Sequence, residues 1–260
     1  MPAPRGRVVP TCHSGPVRVL LPPSEAKTDG GRRGPARPVD PALAAARDRV
    51  ASALAATLTR PDAAQVLGLP ARTAEEELSH DATIATAPRR PAIDRYAGVV
   101  YSGIDVRTLS PAARRRAASA VLVFSGLYGV VRGDEPVPRY RLSAGVTLPG
   151  LGLLSAFWRP VLAEVVPPLL HGLVVDLRST DYAAMWKAPA GTLAVRVLTP
   201  RPGREPAVVS YDSKLGKGRL TRALLDAPAP ARTAADVVAA WEAAGGRDAT
   251  VVGSRLDLLL

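Results

Sequence analysis

Lys27, Tyr101, Ser125, Arg141, Asp181, Tyr182, Lys214 and Lys217 are the residues whose chemistry and placement stand out in this chain. Each follows an apolar, β-branched run that reads as a buried strand, or lies in a loop beside one. Ammonium, guanidinium and hydroxyl groups gathered at strand ends can neutralise and hydrogen-bond a phosphate or a nucleotide. Asp176 and Asp181 add carboxylates that could act as acid or base. Aspartates beside Ser179 and Thr180 can equally cap a helix or pair with an arginine. The candidate catalytic groups are Lys27, Ser125 and Asp181, with no reaction assigned to them. Lys27, Ser125, Gly126, Tyr128, Arg141, Lys214 and Lys217 are the candidate phosphate contacts.

The sharpest local signal is Ser125-Gly126-Leu127-Tyr128-Gly129, directly after Ala120-Val121-Leu122-Val123-Phe124. A buried strand opening into a glycine-bearing loop puts the hydroxyls of Ser125 and Tyr128 where α/β domains collect ligand-handling groups. Standard catalytic signatures are missing. Pro23-Ser24-Glu25-Ala26-Lys27 puts a lysine after a strand but lacks the glycines of a phosphate-binding loop. There is no G-x-G-x-x-G, no metal-binding histidine pair and no interpretable Ser/His/Asp set. His13, His80 and His171 have no companions in sequence, which suits structural or surface roles. Trp158 sits in an apolar segment and reads as core, whereas Trp186 beside Lys187 could pack or stack on a base.

The elements that must position these groups alternate between strand and helix, which predicts a single mixed-sheet α/β domain with surrounding helices. Strands are expected at 17–21, 96–101, 120–124, 173–175, 193–198, 207–211 and 250–252. Helices are expected at 40–58, with Asp40 as cap and Pro41 in the first turn, and from Pro111 behind a Ser110 cap. Further helices are expected at 153–170, 221–225 and 234–244. Residues 1–16 read as a flexible basic extension, 30–38 as a flexible basic loop, and 17–260 as one domain.

Residues 60–80 form a distinct unit. A short helix, the turn Leu67-Gly68-Leu69-Pro70 and a second helix capped by Thr73 make a helix-hairpin-helix-like pattern. Such hairpins hold a DNA phosphate on backbone N–H groups and the next helix N-terminus. Gly68 permits the turn and Arg72 supplies charge, while Glu75, Glu76 and Glu77 would repel phosphate unless they face away. An ordinary helix–turn–helix connection would give the same pattern.

Lysine and arginine total 34 against 23 acidic residues, a formal charge of +11. Residues 1–39 and 196–222 each carry seven basic and two acidic groups, and Arg114-Arg115-Arg116 adds a third cluster. A surface of that sign attracts polyanions by phosphate neutralisation, though a merely solvated basic surface is the plainer alternative. The lone Cys12 excludes an internal disulfide and argues against a zinc cluster. No apolar run approaches the ~18–20 residues of a membrane span, and residues 1–16 lack an apolar signal core. The chain reads as cytoplasmic, with no membrane partner and no cofactor.

Taken in order, Pro23–Lys27, Tyr101-Ser102-Gly103, Ser125–Gly129, Asp134 with Arg139-Tyr140-Arg141-Leu142, Phe157-Trp158, Ser179–Tyr182 and Lys214–Arg219 resemble the YaaA peroxide-stress protein family. The family pattern reads S-P-A-K, Y-x-G, S-G-L-Y-G, an acidic residue with Y-R-L, F-W, S-x-E-Y and K-x-A-R-G-x-x-x-R. Here Glu25 is inserted in the first motif, Asp181 replaces the usual glutamate, and Lys214–Gly218 keeps basic residues and a glycine. The resemblance runs from about Val17 to about Leu225. It implies one α/β unit with a positively charged cleft near Lys27, Ser125, Tyr128, Arg141, Lys214 and Lys217, and a hairpin at Leu67–Pro70. It also implies a peroxide-induced cytoplasmic factor that binds DNA and lowers reactive iron. The residues themselves leave three readings open: sequence-independent DNA binding, an enzyme acting on a phosphorylated small molecule or nucleotide, and direct iron sequestration. The last has no recognisable ligand set.

Overall fold

A computed structural model describes residues 15–34 and 40–260. The expected basic extension falls outside these residues up to position 14, together with Cys12 and His13, as does the 35–38 part of the basic loop. Among the described residues ten helices, α1–α10, form in chain order at Pro41–Leu58, Ala63–Val66, Ala74–Ala82, Ala92–Arg95, Val99–Ile104, Pro111–Ala120, Leu154–Val165, Thr180–Ala183, Ser210–Asp226 and Ala234–Ala243. Twelve strands among the described residues are β1 Arg18–Leu21, β2 Arg90–Pro91, β3 Val121–Ser125, β4 Gly129–Arg132, β5 Pro136–Val137, β6 Thr147–Leu148, β7 Gly152–Leu153, β8 Val174–Asp176, β9 Leu193–Arg201, β10 Arg204–Ala207, β11 Ala249–Val252 and β12 Arg255–Leu259.

The central sheet has eight strands in the order β11-β12-β9-β8-β1-β3-β4, with β10 pairing on β9. From β12 to β3 the strands run parallel, and β11, β10 and β4 are antiparallel additions. Val19 of β1 faces Val121 of β3 on one side and Val175 of β8 on the other. Parallel strands covered on both faces need continuous apolar runs, and Val19-Leu20-Leu21 and Val121–Phe124 are buried throughout. The chain leaves β1 for β3 on one side and later returns to β8 on the other. The strand order reverses at β1, so a crevice opens at the carboxyl ends of β3, β1 and β8. Residues 22–27, 125–128 and 176–182 all emerge there.

Local chemistry sets several boundaries. The Asp40 carboxylate accepts from the Ala42 N–H at 2.9 Å, and Ser110 Oγ accepts from the Ala113 N–H at 3.1 Å, each followed by a proline. Arg95 is fully buried and ties together a loop-rich region. Its guanidinium donates to the carbonyls of Val137 at 3.1 Å, Gly30 at 2.8 Å and Pro88 at 2.9 Å, and also to that of Thr28.

Two sequence expectations fail. Residues 96–101 are not a strand, because Val99–Ile104 is helix α5. Strand β10 ends at Ala207 and α9 begins at Ser210, so Lys214 and Lys217 stand on a helix rather than in a loop. Both errors have one cause. Helices α5 and α9 cross with their backbones in contact, which only glycine at the crossing permits. A Cβ on Gly218 would collide with the Val100 carbonyl oxygen and lie 2.8 Å from the Gly103 Cα. Tertiary packing overrides both the β-branched run and the glycine-rich composition.

Gly218→Ala tests this crossing. Helix propensity alone would add about 1 kcal/mol of stability, but overpacking costs about 1–3 kcal/mol. A lowered urea midpoint is expected; an unchanged or raised one would show that the helices do not meet this closely.

Candidate functional site

The segment 22–27 leaves β1 and is pinned beside α4. The Ala97 N–H donates to the Ala26 carbonyl at 2.9 Å, and Lys27 bridges to Tyr96. This turns the Lys27 side chain inward. Its Nζ donates to the Ser24 carbonyl at 2.9 Å and the Glu25 carbonyl at 3.3 Å, and lies 4.2 Å from the Tyr140 ring centroid. Burial is the main cause holding its pKa down at about 7, opposed by the nearby carboxylates of Glu77 and Asp81. Asp81 is perturbed the other way, up to about 7, again chiefly by burial. One Asp81 oxygen accepts from the Arg141 backbone N–H at 2.8 Å, while the other, buried, has no hydrogen-bond partner.

Beneath Lys27 runs a chain of hydroxyls. Ser125 Oγ and Tyr140 Oη are 2.6 Å apart, as are Tyr140 Oη and Tyr96 Oη, and the Tyr128 N–H donates to Ser125 Oγ at 3.1 Å. Burial holds Tyr96 and Tyr140 protonated well above the ordinary phenol range. Above Lys27 lies a layer of ion pairs. Arg141 meets Glu25 at 2.8 Å and Glu77 at 3.8 Å, while Arg139 meets Asp29 and Glu76, each at 2.8 Å. Lys27, Arg141, Gly68, Ser143 and Tyr182 line a pocket of about 50 Å³.

A second cluster occupies the end of β8. The Arg178 guanidinium forks onto Asp176 at 2.9 and 2.7 Å, donates to the carbonyls of Tyr182 and Trp186, and stacks over the Phe124 ring. Lys217 donates to the Arg178 carbonyl at 3.3 Å, its pKa lowered by burial against the opposing pull of Asp176. Trp186 is buried and stacked on Phe124, so it is core and presents no face for a nucleobase. Trp158 is core as well, donating its indole N–H to the Gly126 carbonyl at 2.8 Å. Among the described residues, no group of three or more His, Cys, Asp or Glu side chains is placed to hold a metal ion.

A family model described as peroxide stress protein YaaA matches residues 17–242. The chain belongs to the YaaA peroxide stress protein family. A UPF0246 protein of Streptomyces coelicolor is 46% identical over 215 residues, covering 80% of this chain and 82% of its own length. UPF0246 proteins of Corynebacterium efficiens and Corynebacterium glutamicum strain R are each 36% identical, over 234 and 237 residues, covering 87% of this chain and 92% of their own.

The residues singled out from this YaaA-family sequence fall into four groups. Lys27, Gly68 and Arg141 line one pocket, and Ser125 with Gly126 forms its floor through Tyr140 and the 142–143 backbone. Lys217 sits at the neighbouring end of β8. Tyr128 shares an edge-on ring contact with Tyr140, but its hydroxyl engages Arg89 on the side of α1, away from Lys27. Arg72, Asp181 and Lys214 are exposed. At the hairpin, Gly68 has φ +64°. The Gly68 and Leu69 N–H groups are donated within the turn, to Gln65 and Ala64 carbonyls. Thr73 precedes α3 without a side-chain cap bond. Glu76 and Glu77 turn toward Arg139 and Arg141. Sequence reasoning missed Tyr96, Tyr140, Glu77 and Asp81 as site residues. Tyr140 carried a signal, since it lies inside the Y-R-L motif; Asp81, on the last turn of α3, carried none.

The pH dependence of stability tests this burial. A lysine depressed to about 7 in the fold but near 10.5 unfolded leaves the unfolded state binding more protons between those values, so its contribution to stability rises with pH across that window. Relative to Lys27→Met, the wild-type urea midpoint should climb between about pH 7 and about pH 9.5. Parallel profiles for the two proteins would show that Lys27 titrates as if exposed.

Proposed function

We propose that this protein acts inside the cell in protection against peroxide, by binding DNA through its basic surface and so limiting iron-dependent oxidative damage there. Membership of the YaaA peroxide stress family supports the stress role. The observation that carries the DNA reading is the charge: a formal +11, with Arg72, Lys187 and Lys214 exposed and in no ion pair among the described residues. Arg72 follows the Gly68 turn directly. In this reading the α2–Gly68–α3 unit is the helix-hairpin-helix-like element that meets the backbone, and Lys214 extends the contact. Cationic and backbone contacts neutralise phosphates without reading bases, so binding is largely independent of sequence. The reading invokes no metal centre in this chain. No helix among the described residues is long and apolar enough to cross a membrane.

The alternative, an enzyme for nucleotides or larger phosphorylated substrates, fits the pocket poorly. Its volume is about 50 Å³, against the ~300–1,000 Å³ of pockets that enclose drug-sized ligands. A small group fits; a whole nucleotide does not.

A gel-shift series on unrelated duplexes should show affinity falling steeply between about 50 and about 200 mM salt, with little preference among sequences. Arg72→Ala should weaken binding to every duplex and reduce the logarithmic salt slope by about one. Binding that is absent, or insensitive to salt, would rule the reading out.

A further inference from the structure

We infer that Lys27 is an amine nucleophile that captures aldehydes as an imine, and that the aldehyde it serves is the base-less deoxyribose of an abasic site in DNA. The inference rests on the DNA-binding reading and assigns a lesion to it.

Four features of the pocket lead there. First, the half-buried Lys27 lines the pocket and turns two Nζ N–H donors toward the Ser24 and Glu25 carbonyls. A neutral amine has two donors and one lone pair, so both donors are engaged and the lone pair is left for a carbon electrophile. Second, of the carboxylates that act on Lys27, Glu25 and Glu77 are engaged by the Arg141 guanidinium and Asp81 by the Arg141 backbone N–H. None of the three forms a direct salt bridge, among the described residues, that would lock Lys27 as an ammonium. Third, the pocket holds about 50 Å³, room for a few atoms. An open-chain sugar carbon fits, whereas a nucleobase does not. Fourth, one wall is the Gly68 turn, which in the DNA-binding reading lies beside a phosphate. An electrophile reaching Lys27 would then be attached to the strand whose backbone that turn meets.

The depressed pKa of Lys27 agrees with this geometry, since at about 7 a large share of the amine is unprotonated near neutral pH. Oxidative attack on deoxyribose is a chemical source of such lesions, which links the site to peroxide. The step balances without an oxidant or reductant. Nζ attacks C1′ of the ring-opened sugar, a C–N bond forms and the C=O bond breaks. Both amine hydrogens leave with the oxygen as water, and the product is an imine.

The same chemistry could serve a free sugar phosphate, so the experiment needs two arms. The full chain is incubated with sodium borohydride and either a duplex carrying one abasic site or free 2-deoxyribose 5-phosphate, and adducts are located by peptide mapping. A covalent protein–DNA band mapping to Lys27 is expected with the abasic duplex. It should be absent with an intact duplex and with a tetrahydrofuran site, which lacks the aldehyde. Lys27→Arg and Lys27→Met should lose the band, their folding checked by thermal melting. Wild type that binds the abasic duplex but forms no adduct overturns the capture chemistry and leaves the DNA reading standing. An adduct that persists in both variants or maps elsewhere overturns the role of Lys27. Labelling of Lys27 by the free sugar alone overturns DNA as the source, and absence of binding to any duplex overturns that source together with the DNA reading.

Discussion

The backbone at Leu142 and Ser143 lies so close to the end of β3 that position 126 tolerates no side chain. A Cβ on Gly126 would sit 2.5 Å from the Leu142 carbonyl oxygen and 2.8 Å from the Ser143 carbonyl carbon. Everything at the site follows from that approach. It lays Tyr140 across Ser125 so that their hydroxyls meet, and Tyr140 then provides the ring on which the Lys27 amine rests. It aims the Arg141 backbone N–H at Asp81, which fastens α3 to the sheet end. The topology supplies strand ends in one place, as any reversal of strand order does. The Gly126 contact turns that general crevice into a pocket with a hydroxyl floor and one inward-turned amine.

Charge is divided in an informative way. The chain carries a surplus of eleven positive charges, yet the crevice itself is nearly balanced. Arg139 and Arg141 are matched by Asp29, Glu25, Glu76 and Glu77, and Arg178 by Asp176. The unmatched cations, such as Arg72, Lys187 and Lys214, are outside it. Surface charge acts over a Debye length of about 8 Å and draws in any polyanion. A balanced interior contributes little to that pull. Attraction and discrimination therefore belong to different parts of the molecule, and in the proposed function the surface gathers DNA while the pocket admits only what is small enough.

Much of this was legible before any coordinates. Asp40-Pro41 and Ser110-Pro111 announce helix starts through side-chain acceptors that any helix needs, and the structure uses both. The runs ending at Leu21, Phe124 and Val175 read as buried strands from their continuous apolar character, and the structure pairs them in parallel. What stayed hidden depends on partners distant in sequence. Val99-Val100-Tyr101 looks like a strand until α9 is laid against it, and Gly216 and Gly218 look like loop residues until Val197 and Gly103 are seen to occupy the space a side chain would take. Trp186 beside a lysine suggests stacking on a base, but it is buried in the core against Phe124 and Arg178. The pairing of Glu77 with Arg141 and of Asp81 with the backbone 60 residues away has no local signature, since α3 alone is merely an acidic helix.

The Lys27–Asp81 neighbourhood differs in kind from the fixed ion pairs around it. Burying a lone charge costs several kcal/mol in proteins, and a nearby opposite charge recovers this only at close range with its remaining hydrogen bonds satisfied. Neither condition holds here. Lys27 and Asp81 interact electrostatically but form no direct salt bridge among the described residues, and one Asp81 oxygen is left without a partner. Burial pushes the amine down and the carboxyl up until both lie near 7, so the charged and neutral pairs come close in free energy at neutral pH. A fixed ion pair such as Arg178–Asp176 resists change because its fork is fully engaged. The Lys27 site, by comparison, holds its charge loosely.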